Sequence, residues 1–261
     1  SNLSRVLMSL VDVAMVGRLG AGALAATGMG GMLFWGALSL TLGIRTAVQT
    51  VASRRLGQKL DKKSGTAFHN GIYMATAYAV PVSFFGWAFV EKLVPFFVND
   101  AEATPLAIEY TSIVFLSLLF SAYSFVFQGF YTGIEKTKIH MRVTIISNLV
   151  NIYLNAGLIY GSSGVRDFIN QKIPDFSFLT FFWDWANFPA LGVKGAAIST
   201  LIASLWMVVH YAAYLFSKDI KTRFFVFSFS YDKTMMSRQI GLALPLGVQE
   251  GLIAIGWGMF Y

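Results

Sequence analysis

Five stretches free of Asp, Glu, Lys and Arg dominate this chain of 261 residues: Ala21–Ile44, Gly71–Val90, Tyr110–Ile134, Val143–Val165 and Gly195–Ser217. Crossing the hydrocarbon core of a bilayer takes about 20 apolar residues, and each stretch reaches that length. Two further segments lie towards the ends, each holding one acid: Leu3–Gly17 with Asp12, and Gln239–Tyr261 with Glu250. Within lipid every backbone N–H and C=O must bond inside the protein, which leaves helices or a closed barrel. A barrel would show short alternating segments of about 10 residues instead. The expected class is therefore an all-α polytopic membrane protein.

Composition enters as an exclusion. Hydrophobic residues make up 56% and charged residues 13%, against about 25% charge in a soluble domain. A soluble enzyme, a disordered scaffold and a nucleic-acid-binding domain are all disfavoured. The chain has no cysteine, so thiol chemistry, cysteine-ligated metal and disulfide frameworks are excluded. No P-loop, metalloprotease motif, catalytic triad or paired-carboxylate motif occurs, so no enzyme and no bound cofactor is expected.

The net charge of +7 has a topological source. Thirteen of the 20 basic residues fall in three alternate gaps: Arg54, Arg55, Lys59, Lys62 and Lys63; Lys136, Lys138 and Arg142; Lys218, Lys221, Arg223, Lys233 and Arg238. The other gaps hold Arg18, Lys92, Arg166, Lys172 and Lys194. Lys and Arg are retained on the cytoplasmic side, which predicts a cytoplasmic N-terminal end; the expected location is the cell inner (plasma) membrane. The partner implied by the positive charge is the lipid bilayer, and no nucleic acid is needed. Two aromatic connections, Ser162–Pro189 and Phe224–Tyr231, read as interfacial segments on the external and cytoplasmic faces respectively.

Ionisable and amide side chains inside the spans are costly and are functional candidates for that reason. Asp12 lies in an apolar run, with Arg5 two helical turns back as a possible tether. Ser147, Asn148, Asn151 and Asn155 share one helical face by their spacing of three and four. Such a face lines a cavity or packs against another helix. Carboxylate, amide and hydroxyl oxygens suit Na⁺, whereas a lone buried carboxylate suits H⁺. Glu250, beside Gln249 and just after Pro245, is the second intramembrane acid and a candidate substrate or coupling group.

Four stretches resemble the amino-terminal half of the multidrug and toxic compound extrusion (MATE) family. They are Val11–Gly20 continuing to Gly28, Gly43–Gly57, Asn151–Asn155 and Gly192–Thr200, in the family's order and spacing. The resemblance implies a twelve-helix fold in two six-helix lobes. Residues 1–217 would be the amino-terminal lobe, 218–238 the cytoplasmic inter-lobe loop, and 239–261 the start of helix seven, with the carboxy-terminal lobe as a missing partner. It also implies an antiporter exporting small organic, often cationic, compounds against Na⁺ or H⁺. By the same resemblance Asp12, Asn151, Asn155 and Thr200 form the amino-lobe cation site, with Na⁺ held by Asp12, Asn151 and Asn155. A neutral Asn155 is similar to the NorM-like branch and tilts the expectation toward Na⁺. A lipid-linked oligosaccharide flippase of related fold would need several cavity arginines, and only Arg5 and Arg45 are available. A seven-helix receptor fits the segment count but not the charge-derived orientation.

Overall fold

The computed structural model describes residues 12–97 and 100–258, and every regular element among them is helical. Residues 12–17 are helical. There follow α1 (Ala21–Gly57), α2 (Asp61–Ala88), α3 (Val90–Phe97), α4 (Ala103–Gly133) and α5 (Thr137–Lys172). A 3-10 segment (Pro174–Thr180) and the short α6 (Phe181–Asp184) lead to α7 (Gly192–Leu215), α8 (Lys218–Phe224) and α9 (Lys233–Gly258). The expected all-α class holds. Among the described residues α1, α4, α5 and α7 are long and apolar enough to cross a membrane, and α2 with α3 makes a fifth span if that pair, bent by 75°, is counted as one. Of the two outer segments, residues 3–11 (Arg5 included) and 259–261 fall outside the described residues.

The helices outrun the apolar stretches that mark them. Helix α1 continues past Ile44 to Gly57, and α2 starts at Asp61 rather than Gly71. Polar residues cost a helix little once it leaves lipid, and Arg54 and Arg55 in the last turn of α1 face the negative end of its dipole. The α1–α2 turn closes with Lys59 in the left-handed region, Lys59 N–H donating to Leu56 O and Leu60 N–H to Arg55 O. This is the Schellman bond pair that uses up the last free carbonyls of a helix. Glu135, after α4, repeats the arrangement with Thr132 and Tyr131.

The stretch 162–189 is not a plain loop. Helix α5 breaks at Gly161 (φ 74°, ψ 164°) and then resumes to Lys172. That φ lies where only glycine is free of a Cβ clash. The groups freed by the break are taken up by the returning chain. Leu191 N–H donates to Leu158 O at 2.8 Å, and Ser162 N–H donates to Phe188 O at 3.0 Å. The Ser162 hydroxyl accepts from Phe188 N–H at 2.8 Å and donates to Trp183 O at 2.6 Å. The prolines in spans do not interrupt them: α2 runs through Pro81 and α9 through Pro245.

The chain divides into two compact units. The first draws on residues up to Gly31, Trp87–Val114 and Ser147–Ala203. Its apolar core gathers Val16, Ala23, Ile159, Val193 and Ala196, with Tyr110 and Tyr160 against them. The Tyr160 hydroxyl donates to Met15 O and ties the helical residues 12–17 to α5. A Cβ on Gly195 would fall 2.1 Å from Leu158 O, so only glycine lets α7 approach α5 this closely.

The second unit comprises Met32–Gly86, Phe115–Ile146 and the chain from Ser204 onward. Its core is aromatic: Phe68, Phe127, Phe130, Tyr131, Tyr211 and Phe224 are all buried, with Phe127 and Tyr211 stacked at 5.6 Å. Helix α2 also grips the segment between α8 and α9. His69 Nε2–H donates to Val226 O at 2.7 Å, and its Nδ1 meets the Ser230 hydroxyl at 3.1 Å. Asn70 and Asp232 exchange bonds, side-chain amide to backbone carbonyl and backbone N–H to side-chain oxygen. The Tyr73 hydroxyl donates to Phe229 O at 3.0 Å, and Lys63 pairs with Asp232 at 3.0 Å.

Candidate cation site

Within the first unit, Asp12 meets the polar face of α5. The Asn155 side-chain amide donates to Asp12 Oδ1 at 2.6 Å and to Asn151 Oδ1 at 3.0 Å. Asn155 Oδ1 in turn accepts from the Ser199 hydroxyl of α7, which also lies 2.8 Å from Ala196 O. Asn151, Asn155 and Ser199 are buried, and Asp12 is half-buried. The result is a chain of side-chain bonds, Ser199 to Asn155 to Asp12, joining three helical segments.

The helix periodicity set out from sequence accounts for the α5 side of the site. Positions 147, 151 and 155 repeat at four-residue spacing, and all three side chains are buried, while Asn148 is half-buried. Ser147 Oγ is buried without a hydrogen-bond partner among the described residues, one turn from Asn151 on the same face. A buried hydroxyl left unpaired costs about 1–3 kcal/mol.

Thr200 stands apart from this group. Its hydroxyl donates to Ala196 O at 3.0 Å, a bond back onto its own helix. Its neighbour Ser199 supplies the hydroxyl. The signal was present in the sequence: Gly195 marks the α7 face pressed on α5, and Ser199 is one turn on from it. Thr200 is rotated by a further 100° or so. Glu250 belongs to the second unit, where it is exposed on α9. The suggested Arg5 tether to Asp12 falls outside the described residues.

The donor set is oxygen-rich and carries one formal charge. It offers the Asp12 carboxylate, two amide oxygens and a hydroxyl, ligands that fit a hard monovalent cation. No cluster of three or more His, Cys, Asp or Glu that could hold a multivalent metal occurs among the described residues. Asp12 has no ion pair among the described residues; its described partner is a neutral amide.

A family model, MatE, matches residues 1–156. The multidrug resistance protein NorM of Burkholderia vietnamiensis is 24% identical over 97% of this chain and 49% of its own length. A probable multidrug resistance protein NorM of Bacillus licheniformis is 25% identical over 92% of this chain and 49% of its own. Among solved structures, the outward-facing conformation of a multidrug resistance MATE family transporter of the MOP superfamily superposes with a TM-score of 0.79 at 20% identity, over 98% of this chain and 51% of that one. A MOP superfamily transporter from Pyrococcus furiosus gives 0.78 at 20% identity, over 98% and 51%. The chain thus spans about half the length of the relatives it matches.

Proposed function

The chain belongs to the MatE family of membrane transporters, and from that premise we propose that it forms the amino-terminal half of a cation-coupled exporter of small organic, often cationic, compounds. The names of its relatives as multidrug resistance proteins support the substrate class. In this reading Asp12, Asn151, Asn155 and Ser199 bind the coupling ion, Na⁺ or H⁺, and a carboxy-terminal lobe completes the pathway. The protein alternates between two orientations, and the ion binds one of them better. Only such differential binding lets an ion gradient drive a conformational cycle.

The observation that carries this reading is the pairing of Asp12 with a neutral amide. A carboxylate within a span that merely held helices together would be expected to face a base or several donors. Here it keeps one oxygen free of any described bond, as an exchangeable ligand does. In the full-length protein, Asp12→Asn should abolish gradient-driven efflux while insertion and folding persist, because removing a charge lowers the cost of the span. Efflux driven by an imposed Na⁺ gradient and surviving a protonophore would identify Na⁺; arrest by the protonophore would identify H⁺. Coupled efflux at wild-type rates from well-expressed Asp12→Asn would overturn the assignment. The same reading puts the gap around Lys59 in the cytoplasm. With no native cysteine to interfere, Lys59→Cys should resist an impermeant thiol reagent added outside intact cells.

A further inference from the structure

The segment joining α8 to α9 presents exposed aromatic rings outside the candidate cation site. Its residues divide between two faces. Phe224 and Val226 are buried, while Phe225, Phe227, Phe229 and Tyr231 are exposed, Phe229 by 73% and Tyr231 by 59%. This is no loose loop, because α2 holds its backbone through the bonds to Val226 O, Phe229 O and Asp232.

The backbone is strained where the aromatics project. Phe225 (φ 50°) and Phe229 (φ 46°) both sit in the left-handed region, which is unfavourable for a bulky side chain. Glycine or asparagine would adopt the same turn at lower cost. One face of the Phe229 ring stacks on His69 at 6.0 Å between centroids, and the rest of it stays exposed.

Cations are set over these rings. Lys62 Nζ lies 5.2 Å from the centroid of Phe225, and Lys221 Nζ lies 5.8 Å from that of Phe227. Both lysines are exposed, and neither has an acidic partner among the described residues. Aromatic rings favour the boundary between lipid and water, and juxtamembrane lysines attract anionic headgroups. Apolar rings beside exposed cations with no acidic partner among the described residues match an anionic phospholipid surface in both respects.

We propose that the segment Phe225–Tyr231 is a fixed docking surface for anionic phospholipid, with the aromatic rings seated at the acyl–headgroup boundary and Lys62 and Lys221 on the phosphates. This is independent of the ion-site assignment and would stand if Asp12 proved structural. The test uses the full-length protein with one introduced cysteine, Phe229→Cys, carrying a bimane label, in bilayers where a minor fraction of lipid is brominated. Brominated phosphatidylglycerol should quench the label several-fold more than brominated phosphatidylcholine. Each lysine near an anionic surface favours it by about fivefold, so adding Lys62→Gln and Lys221→Gln should remove most of that preference. A second label at Tyr231→Cys should behave alike and guards against a local effect of the first substitution. Equal quenching by the two lipids, a preference that outlives loss of both lysines, or no quenching because an acidic protein covers the face, would each overturn the proposal.

Discussion

Two groups of buried and half-buried polar side chains in this protein use their hydrogen bonds differently. In the second unit His69, Asn70 and Tyr73 bond to backbone carbonyls of the segment before α9. In the first unit Asn155 bonds to two other side chains, one of them a carboxylate, and accepts from a third. A side chain bonded to a carbonyl has a partner that is always present and always an acceptor, so the contact fixes a fold. A side chain bonded to a carboxylate has a partner whose charge can be cancelled. The first arrangement holds a segment in place, and under the proposed function the second registers whether an ion or a proton has arrived.

The distinction is open to breakage at its strongest point. Asn155→Ala removes the described donor to Asp12, and a hydrogen bond to a charged group is worth about 1.5–3 kcal/mol. Apparent affinity for the coupling ion should change by about 10- to 100-fold, read from efflux per folded molecule against ion concentration. A stability loss without an affinity change would make this group a clasp like the other.

His69→Leu is the converse test. It leaves the buried Val226 carbonyl without its donor, at about 1–3 kcal/mol. The melting temperature in detergent should fall, while the ion dependence of efflux per folded molecule should stay unchanged.

A smaller effect is expected at Asp232, where the Met235 backbone N–H and then Lys63 hold the carboxyl below its ordinary range. The folded state therefore favours the carboxylate. That contribution is present above the unfolded pKa, about 3.9, and is lost as pH falls through it towards the lower folded value. Asp232→Asn should narrow the stability gap with wild type as pH drops from 7 to 3, the gap at pH 7 being about 0.5 kcal/mol for a partly exposed pair. A gap constant across that range would remove the charge from the explanation.

Least of all should follow from Thr200→Ala. Its hydroxyl bonds only within α7 among the described residues, and a change below about 0.5 kcal/mol is expected in stability, with ion affinity unaltered. A loss as large as that of Ser199→Ala would place Thr200 back in the site.

Much of this was legible in the sequence, for definite reasons. The uncharged stretches located the spans because lipid imposes composition directly. Their ends were not legible: α1 past Ile44 and α2 before Gly71 lie in polar residues, which helices accept without a distinctive pattern. Asp12, Asn151 and Asn155 stood out because amides and acids are rare where they cost most. That Ser199 bonds to Asn155 while Thr200 bonds back onto α7 depends on the phase set by Gly195, which shows only once its close contact with Leu158 O is known. The grip of α2 on the segment before α9 could not be read at all. It joins residues some 160 positions apart, chiefly through bonds to backbone atoms that have no residue identity.

The break in α5 has a consequence for engineering. Ser162 and Phe188 are joined backbone to backbone, and Leu191 returns to Leu158 just inside them. The excursion between them, aromatic and largely exposed, is therefore stapled shut at its base. Closing a loop of a different length between the same two ends changes the entropy only slowly. The base can thus serve as a port: a short turn, an epitope or a small reporter domain could replace the excursion while the staple keeps α5 and α7 in register.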